Sequence, residues 1–551
     1  MRICIVNNTY LADAFSAMGH DVLGLRVQPG IQNIAALLAE HDFQPELFVE
    51  VEVLGARPVL NGLDEIACTK LFWSVDTHLN AWWHADYGRL FDAVLTTQQH
   101  WVQRLEACGL PRVYWLPWFG VRRPYRPWQE RRHTFGFIGR LSGYRPVRRR
   151  LVDYMTTHHG MAFYENIPYA ELHDTYARVC VIPNESILAE VNFRLFEGAS
   201  VGSLVLNQRG GTDIAGLFEP GKEVLEYGDV LELEEHVRYV KRHPEVAEAM
   251  AHAAWERVQR EHLVEHRAQR IMEYAAQCGQ NGVTGEDAAW HMASTLSMLW
   301  EAEYLRGNGE RILQLAKGFE DEQMVARTLR LEWSLEKRED LRELCAWLMD
   351  SGDYHQSFVV NFAGSMCALA LGELGLAKGF WYRQVTDGGA SFLKAETPCD
   401  VYMAWARECR KRGLLFRPGL RFVPGQSLPE AAVECCLAAS ACAPEDTRVM
   451  KQLVSLCGAL EGAGEHHLGF ASALSLREPD NWRLGVDLAR VNFEVMRYES
   501  GVEELRLAHE SAVKHQREES FFKMLMRRDP SGRTLRLVRE GVRASVGSDA
   551  P

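Results

Sequence analysis

The sequence predicts an α/β protein: two parallel-sheet domains in succession, then an all-α helical-repeat domain. Three observations carry this. Short runs rich in Val, Ile and Leu alternate with helical patterns as far as about residue 279, the mark of parallel sheets covered on both faces. An arginine- and proline-rich stretch from Arg122 onward divides that alternation in two. After Gly279-Gln280-Asn281-Gly282 the β-branched runs thin out and a helical period takes over. A chain of 551 residues exceeds a single hydrophobic core and fits about three domains. The expected boundaries are 1–121, 132–279 and 285–540.

Bulk composition excludes several classes. With 47% hydrophobic and 25% charged residues the chain is of ordinary globular composition, and its net charge of −13 argues against a general nucleic-acid binder. No apolar run approaches the ~18 residues of a membrane span; the best candidate, Phe362–Leu376, is broken by glycines and Glu373. Met1-Arg2 leads straight into the strand Ile3-Cys4-Ile5-Val6, with no signal-peptide pattern. The 13 cysteines form no CxxC and no zinc spacing, so free thiols in a reducing, cytoplasmic compartment are expected. His262 and His266 stand one helical turn apart without a third ligand, and no metal site is expected there.

In the first domain the strands read RICIVN, DVLGL, ELFVEVEV, KLFWSVD, AVLTT and RVYWLPW, and Gly19-His20-Asp21-Val22 closes a helix and opens the second of them. No GxGxxG follows the first strand, so a dinucleotide site is not expected. Ligands of such sheets bind beyond the C-terminal strand ends, which directs attention to Asn7, Asn8 and Thr9, and to Asp76, Thr77 and His78. Lys70–Val75 is strongly apolar and reads as a central strand. Asp76 at its end is the first candidate for a general base, and His78 the second, since both side chains can take a proton near neutral pH. The plainer role for Asp76 is a helix cap. Glu50-Val51-Glu52 places two carboxylates on one face of a strand rather than in a metal-binding loop, and no Asp-x-Asp motif occurs. Seven of the 15 tryptophans lie between Trp73 and Trp128. Trp82 and Trp83 are candidates for stacking on a sugar ring, with core packing the commoner use.

The second domain opens with the strand His133–Gly139 and the loop Arg140-Leu141-Ser142-Gly143-Tyr144-Arg145. Ten arginines fall between Arg122 and Arg150. Arg140 and Arg145 are placed to offer planar donors to an anion at a strand-to-helix turn, while Arg148, Arg149 and Arg150 read as a solvated helix face. In Val191–Gln208 the apolar Phe193, Phe196 and Ala199 recur at helical spacing with Glu197 on another face. Gly202 ends the helix, and Ser203–Leu206 is a short strand. Arg209-Gly210-Gly211-Thr212 forms a glycine loop. Helices follow near Val230–Arg242, Pro244–Glu261 and Leu263–Cys278.

Asn192, Arg194, Phe196, Glu197 and Gly202 meet the pattern N-x-R-x-F-E-x-x-x-x-G, and Leu217–Glu223 reads LFEPGKE. These segments resemble the nucleotide-sugar-binding half of GT-B glycosyltransferases, in particular the spore-maturation (CgeB-type) branch. The resemblance implies two Rossmann-like domains facing a cleft, with a last helix that packs back across the N-terminal domain. It implies a nucleotide-diphosphate sugar as donor, a UDP-sugar in the first place, with no cofactor and no metal. Donor binding falls to Arg140, Arg145, Asn192, Arg194, Glu197, Gly210, Gly211 and Thr212. A carboxylate such as Glu197 can accept both ribose hydroxyls, while arginines and helix N-termini hold phosphates. Arg194 has the alternative of pairing with a surface carboxylate. Many retaining members carry two glutamates eight positions apart; here Ala189 stands eight before Glu197, with Glu185 and Glu190 out of register.

Beyond residue 285 the segments Ala443-Pro444-Glu445-Asp446 and Glu478-Pro479-Asp480-Asn481 put prolines 35 apart, close to the ~34-residue tetratricopeptide period. Such stacks expose a concave surface suited to proteins or peptides, so the expected acceptor is a protein, flagellin or a surface protein for example, or else a glycan. The other use of these helices is packing or homodimerisation. Glycosyl transfer is the expected function. A non-catalytic nucleotide-sugar-binding scaffold and an epimerase on the same fold are the alternatives.

Overall fold

The computed structural model describes residues 1–53, 55, 57–210, 213–385 and 395–548, with side chains as far as Glu540. Two compact units emerge, each discontinuous in sequence: Met1–Pro117 with Val264–Val449, and Trp118–Leu263 with the chain from Met450 onward.

In the first unit the strands are β1 (Arg2–Val6), β2 (Asp21–Leu25), β3 (Gly30–Asn33), β4 (Leu47–Val51), β5 (Pro58–Asn61), β6 (Thr69–Ser74), β7 (Ala93–Thr96) and β8 (Val113–Trp115). Six of them form one parallel sheet in the order β2-β1-β4-β6-β7-β8, and β3 pairs with β5 separately. The order reverses between β1 and β4, the topological switch point of an open α/β sheet. Strand β6 is interior, as its apolar composition predicts. The core runs from Val6, Phe48, Phe72 and Val94 in the sheet to Leu296, Leu313 and Met324 in the helices beyond. Helix Val264–Cys278 lies in this unit: Tyr274 Oη donates to Trp115 O at 3.0 Å, its ring stacks on Tyr114 at 4.3 Å, and Arg267 Nε donates to Pro117 O at 2.9 Å. This is the packing that the resemblance implies.

The second unit holds β9 (His133–Ile138), β10 (Ala162–Tyr164), β11 (Val179–Asn184), β12 (Leu204–Gln208) and β13 (Leu225–Tyr227), all parallel in the order β10-β9-β11-β12-β13. Its switch point lies between β9 and β11. The core does not stop at the sheet. Phe135, Leu204 and Tyr227 share one apolar cluster with Trp482, Phe493, Leu505 and Phe521. The helices after residue 285 therefore divide between the two units, those from Met450 onward packing on the second sheet. Pro444 and Pro479 both sit in turns, three residues before the helices Thr447–Cys457 and Trp482–Glu494.

Two readings are corrected here. Arg148 is buried, and Arg150 is half-buried, donating from Nε to Val495 O at 2.7 Å; of the three arginines only Arg149 lies on a solvated face. Trp83 is core, not groove, while Trp82 is half-buried and stacks on Tyr304 at 6.0 Å. All thirteen cysteines are free and eleven are buried. No helix among the described residues is long and apolar enough to cross a membrane.

Candidate functional site

In the second unit the chain converges on the crevice between the C-terminal ends of β9 and β11. Gly139, just past β9, has φ +154, and a Cβ there would lie 2.6 Å from Arg194 Nη2. Both the backbone and the neighbouring guanidinium therefore require glycine. Arg194 is buried and spans the crevice, with Nε donating to Ile138 O at 3.1 Å and Nη1 to Asn184 Oδ1 at 2.7 Å. Its guanidinium carbon lies 4.3 Å from the Phe137 ring centroid. It is a strut between two strand ends, and its side chain also hydrogen-bonds that of Tyr176. The alternative of a surface ion pair does not hold.

Asn192 precedes helix Phe193–Ser200 without capping it through its side chain. Its Nδ2 donates instead to Asn184 Oδ1 and Glu185 O, both at 3.1 Å, and its buried Oδ1 meets no donor. Two hydrogen bonds thus join Asn192 and Arg194 at Oδ1 of Asn184, a residue that the sequence did not single out although it ends the strand VCVIPN. Glu197 is half-buried on the same helix. Tyr176 Oη donates to its Oε2 at 2.8 Å, and burial raises its pKa above the ordinary carboxylate value, with Tyr176 and Arg194 opposing.

Arg140 is exposed and, among the described residues, bonded to nothing; Arg145 is not so free. Arg145 Nη1 lies 3.3 Å from Glu190 Oε1 and 3.6 Å from Glu185 Oε2, and Arg148 binds Glu185 Oε2 through both Nε and Nη2 at 2.8 Å. Glu185 and Glu190, out of register with the two-glutamate pattern, hold this basic cluster together. Beside it opens a cavity of about 690 Å³, lined among others by Arg145, Glu185, Leu188, Arg209, Gly462 and Arg490. Leu188 and Ala189 both have positive φ, +49 and +61, a conformation that costs about 1–3 kcal/mol per residue and gathers at functional sites. Gly210 lets the β12 loop approach that segment, since a Cβ would fall 2.5 Å from Ala189 Cα. Gly211 and Thr212 lie outside the described residues.

In the first unit Asp76 follows β6 and stands at the N-cap of helix Thr77–Tyr87, yet its carboxylate makes no capping bond. The plainer role is thus not the one its side chain adopts. Glu52, at the end of β4, fixes the backbone here: its Oε2 accepts from Val75 N at 2.7 Å and Asp76 N at 2.8 Å, and its Oε1 from Asn80 Nδ2 at 2.5 Å. His84 Nε2 stands 3.4 Å from Glu52 Oε1, and Nδ1 2.8 Å from Ser74 Oγ. Burial opposes charge on Glu52, but His84, the Asp76 N–H and Arg57 together keep its pKa below the ordinary value. Burial likewise lowers His84, against the pull of Glu52. The pair is read as Glu52 ionised over neutral His84. Glu50 is buried two residues earlier and accepts from Tyr87 Oη at 2.8 Å; burial, with Glu52 adding to it, pushes its pKa up to about 8. His78 is buried in the first turn of the same helix.

Sequence comparison bears on one of the two sheets. Residues 125–273 match a family model described as glycosyl transferase-like. This glycosyl transferase-like segment takes in β9 to β13 and every donor-side candidate. No curated protein sequence matches the chain. Similar solved structures include a glycosyltransferase from Rickettsia africae at 11% identity, covering 51% of this chain and 99% of that one with a TM-score of 0.38. Sucrose-phosphate synthase from Thermosynechococcus elongatus is 11% identical over 50% of this chain and 98% of its own, with a TM-score of 0.40. The Anabaena protein HepE, solved in complex with UDP-glucose, is 13% identical over 50% and 99%, with a TM-score of 0.36.

Proposed function

We propose that the protein is a glycosyltransferase, moving a sugar from a nucleotide-diphosphate donor, a UDP-sugar in the first place, to an acceptor that is a protein or a glycan. The observation that supports this most is the coincidence of the glycosyl transferase-like segment with a switch-point crevice framed by Gly139, Asn184 and Arg194. In this reading Glu197 receives the ribose hydroxyls, and Arg140 and Arg194 meet the diphosphate. The acceptor oxygen attacks the anomeric carbon, the bond from that carbon to the phosphate oxygen breaks, and Asp76 takes the acceptor proton. Charge growing on the departing diphosphate is met by arginines and backbone N–H groups, whose effect is largest where it exceeds that in the ground state. Arg145 supports the loop rather than the ligand, because Glu185 and Glu190 already engage it.

The test is a thermal-shift screen of nucleotide sugars on the full chain, followed by assay of nucleotide diphosphate release with and without protein and glycan acceptors. A ligand at about 100 times its Kd stabilises by roughly 2.7 kcal/mol, so a cognate donor gives a clear shift. Glu197→Ala removes charge-assisted bonds worth about 1.5–3 kcal/mol and weakens that donor roughly ten- to hundred-fold. A screen in which no nucleotide sugar stabilises the chain or loses its sugar overturns the proposal. Conversion of the donor sugar without diphosphate release indicates an epimerase instead.

A further inference from the structure

A second cavity, of about 740 Å³, lies in the helical part of the first unit, where Gly309–Lys317, Glu322–Ser334 and Arg338–Ser351 come together. Its charge is one-sided. Glu320, Glu332, Asp340, Glu343 and Asp353 line it against a single cation, Lys317. Four of the carboxylates are exposed, and Asp340 is shared with Lys337 at 3.8 Å. The fifth, Glu332, differs. It is 1% exposed; Oε1 pairs with Lys317 Nζ at 2.7 Å, and Oε2, buried, meets no hydrogen-bond donor. A buried carboxylate oxygen without a donor is unfavourable unless something supplies one. Trp347, 50% exposed on the neighbouring helix, presents an indole to the same cavity.

We infer that this cavity binds a lysine- or arginine-bearing segment of a partner protein, with Glu332 Oε2 accepting from the inserted cation and Trp347 flanking it. A buried carboxylate supplies the charge-assisted bond, and an indole face adds a cation–π contribution. The exposed carboxylates raise the local concentration of cations and steer the approach. Asp340 and Glu343 lie on Arg338–Ser351, and Glu320 and Asp353 in the connections beside the helices, a spread that matches several positive charges along a chain better than one compact amine. This inference is independent of the transferase reading.

The experiment uses the full-length chain and a fluorescein-labelled peptide alternating glycine with lysine and arginine, followed by fluorescence anisotropy. Its glutamate counterpart and spermidine serve as competitors. Saturable binding is expected, weakened by salt as Debye screening requires. Glu332→Gln keeps the shape of the side chain and is expected to weaken the peptide about tenfold. Trp347→Ala, at an exposed position, gives a second loss that does not depend on the core. Glu503→Gln, on a different helix, leaves binding unchanged. Equal affinity in wild type, Glu332→Gln and Trp347→Ala overturns the inference, as does equal competition by the acidic peptide. Complete displacement of the peptide by an equal concentration of spermidine also overturns it, in favour of a free-amine site.

Discussion

Glu50→Gln gives the sharpest test of the network beneath Asp76. Glu50 is buried, its pKa pushed up from 4.5 to about 8 chiefly by loss of solvation. A carboxylate raised in the folded state binds its proton more tightly there than in the unfolded chain. Its stabilising contribution is therefore complete below the unfolded pKa and is lost as pH rises through the folded one. Between about pH 5 and about pH 8.5 the linkage relation gives a loss of roughly 4 kcal/mol. The first unit has roughly 300 residues, hence an unfolding entropy of about 0.6 kcal/mol/K, and the loss corresponds to a fall in Tm of about 6 °C. Glutamine is nearly the same size and its amide oxygen can still accept from Tyr87 Oη. Scanning calorimetry on both proteins across that range should show the wild-type transition falling about 6 °C relative to that of the variant, the gap opening steadily from about pH 5 and levelling off above about pH 8. Parallel curves would mean that Glu50 is solvated or ionised throughout, and the burial argument would fail.

Arg194→Ala should destabilise the second unit by about 1–3 kcal/mol even without ligand, because it removes a buried strut, takes the donor from Ile138 O and leaves Asn184 Oδ1 with Asn192 alone; denaturant titration measures this, and an unchanged midpoint would show the residue to be poised only for ligand. Asp76→Asn should abolish sugar transfer while donor affinity, read by calorimetry, stays the same. Transfer at more than about a third of the wild-type rate, equivalent to less than roughly 0.65 kcal/mol of barrier, would remove Asp76 from the chemistry.

Patterns of buried side chains made the two parallel sheets legible. The runs RICIVN, KLFWSVD and SLVLNQ are apolar on both faces, and only a strand covered by helices on each side keeps such a run dry. The short β3 and β5 carry mixed residues, Gly30–Asn33 and Pro58–Asn61, and gave no such signal. Grouping of the helices was harder to read for a different reason. Trp482 and Phe521 belong to the core of a sheet more than two hundred residues earlier in the chain, and local periodicity holds no information about a partner so distant.

The site residues divide along the same line. A motif can say which residue types stand at a crevice but not how each one's hydrogen bonds are already taken. Arg140 and Arg194 look alike in sequence, yet one is exposed and the other is wedged between Ile138 O and Asn184 Oδ1. Arg145 reads as a ligand for an anion and Arg148 as a solvated side chain until Glu185 and Glu190 are found beside them. Burial reverses the expected reactivity too. Glu50 and Glu52 are equivalent on a strand face, but three donors on Glu52, with His84 beside them, keep it charged while Glu50 has Tyr87. Two carboxylates two residues apart thus differ in charge at neutral pH, and the charged one is bonded to the backbone of Asp76. The position of the proposed base is in this sense set from β4, one strand away from its own.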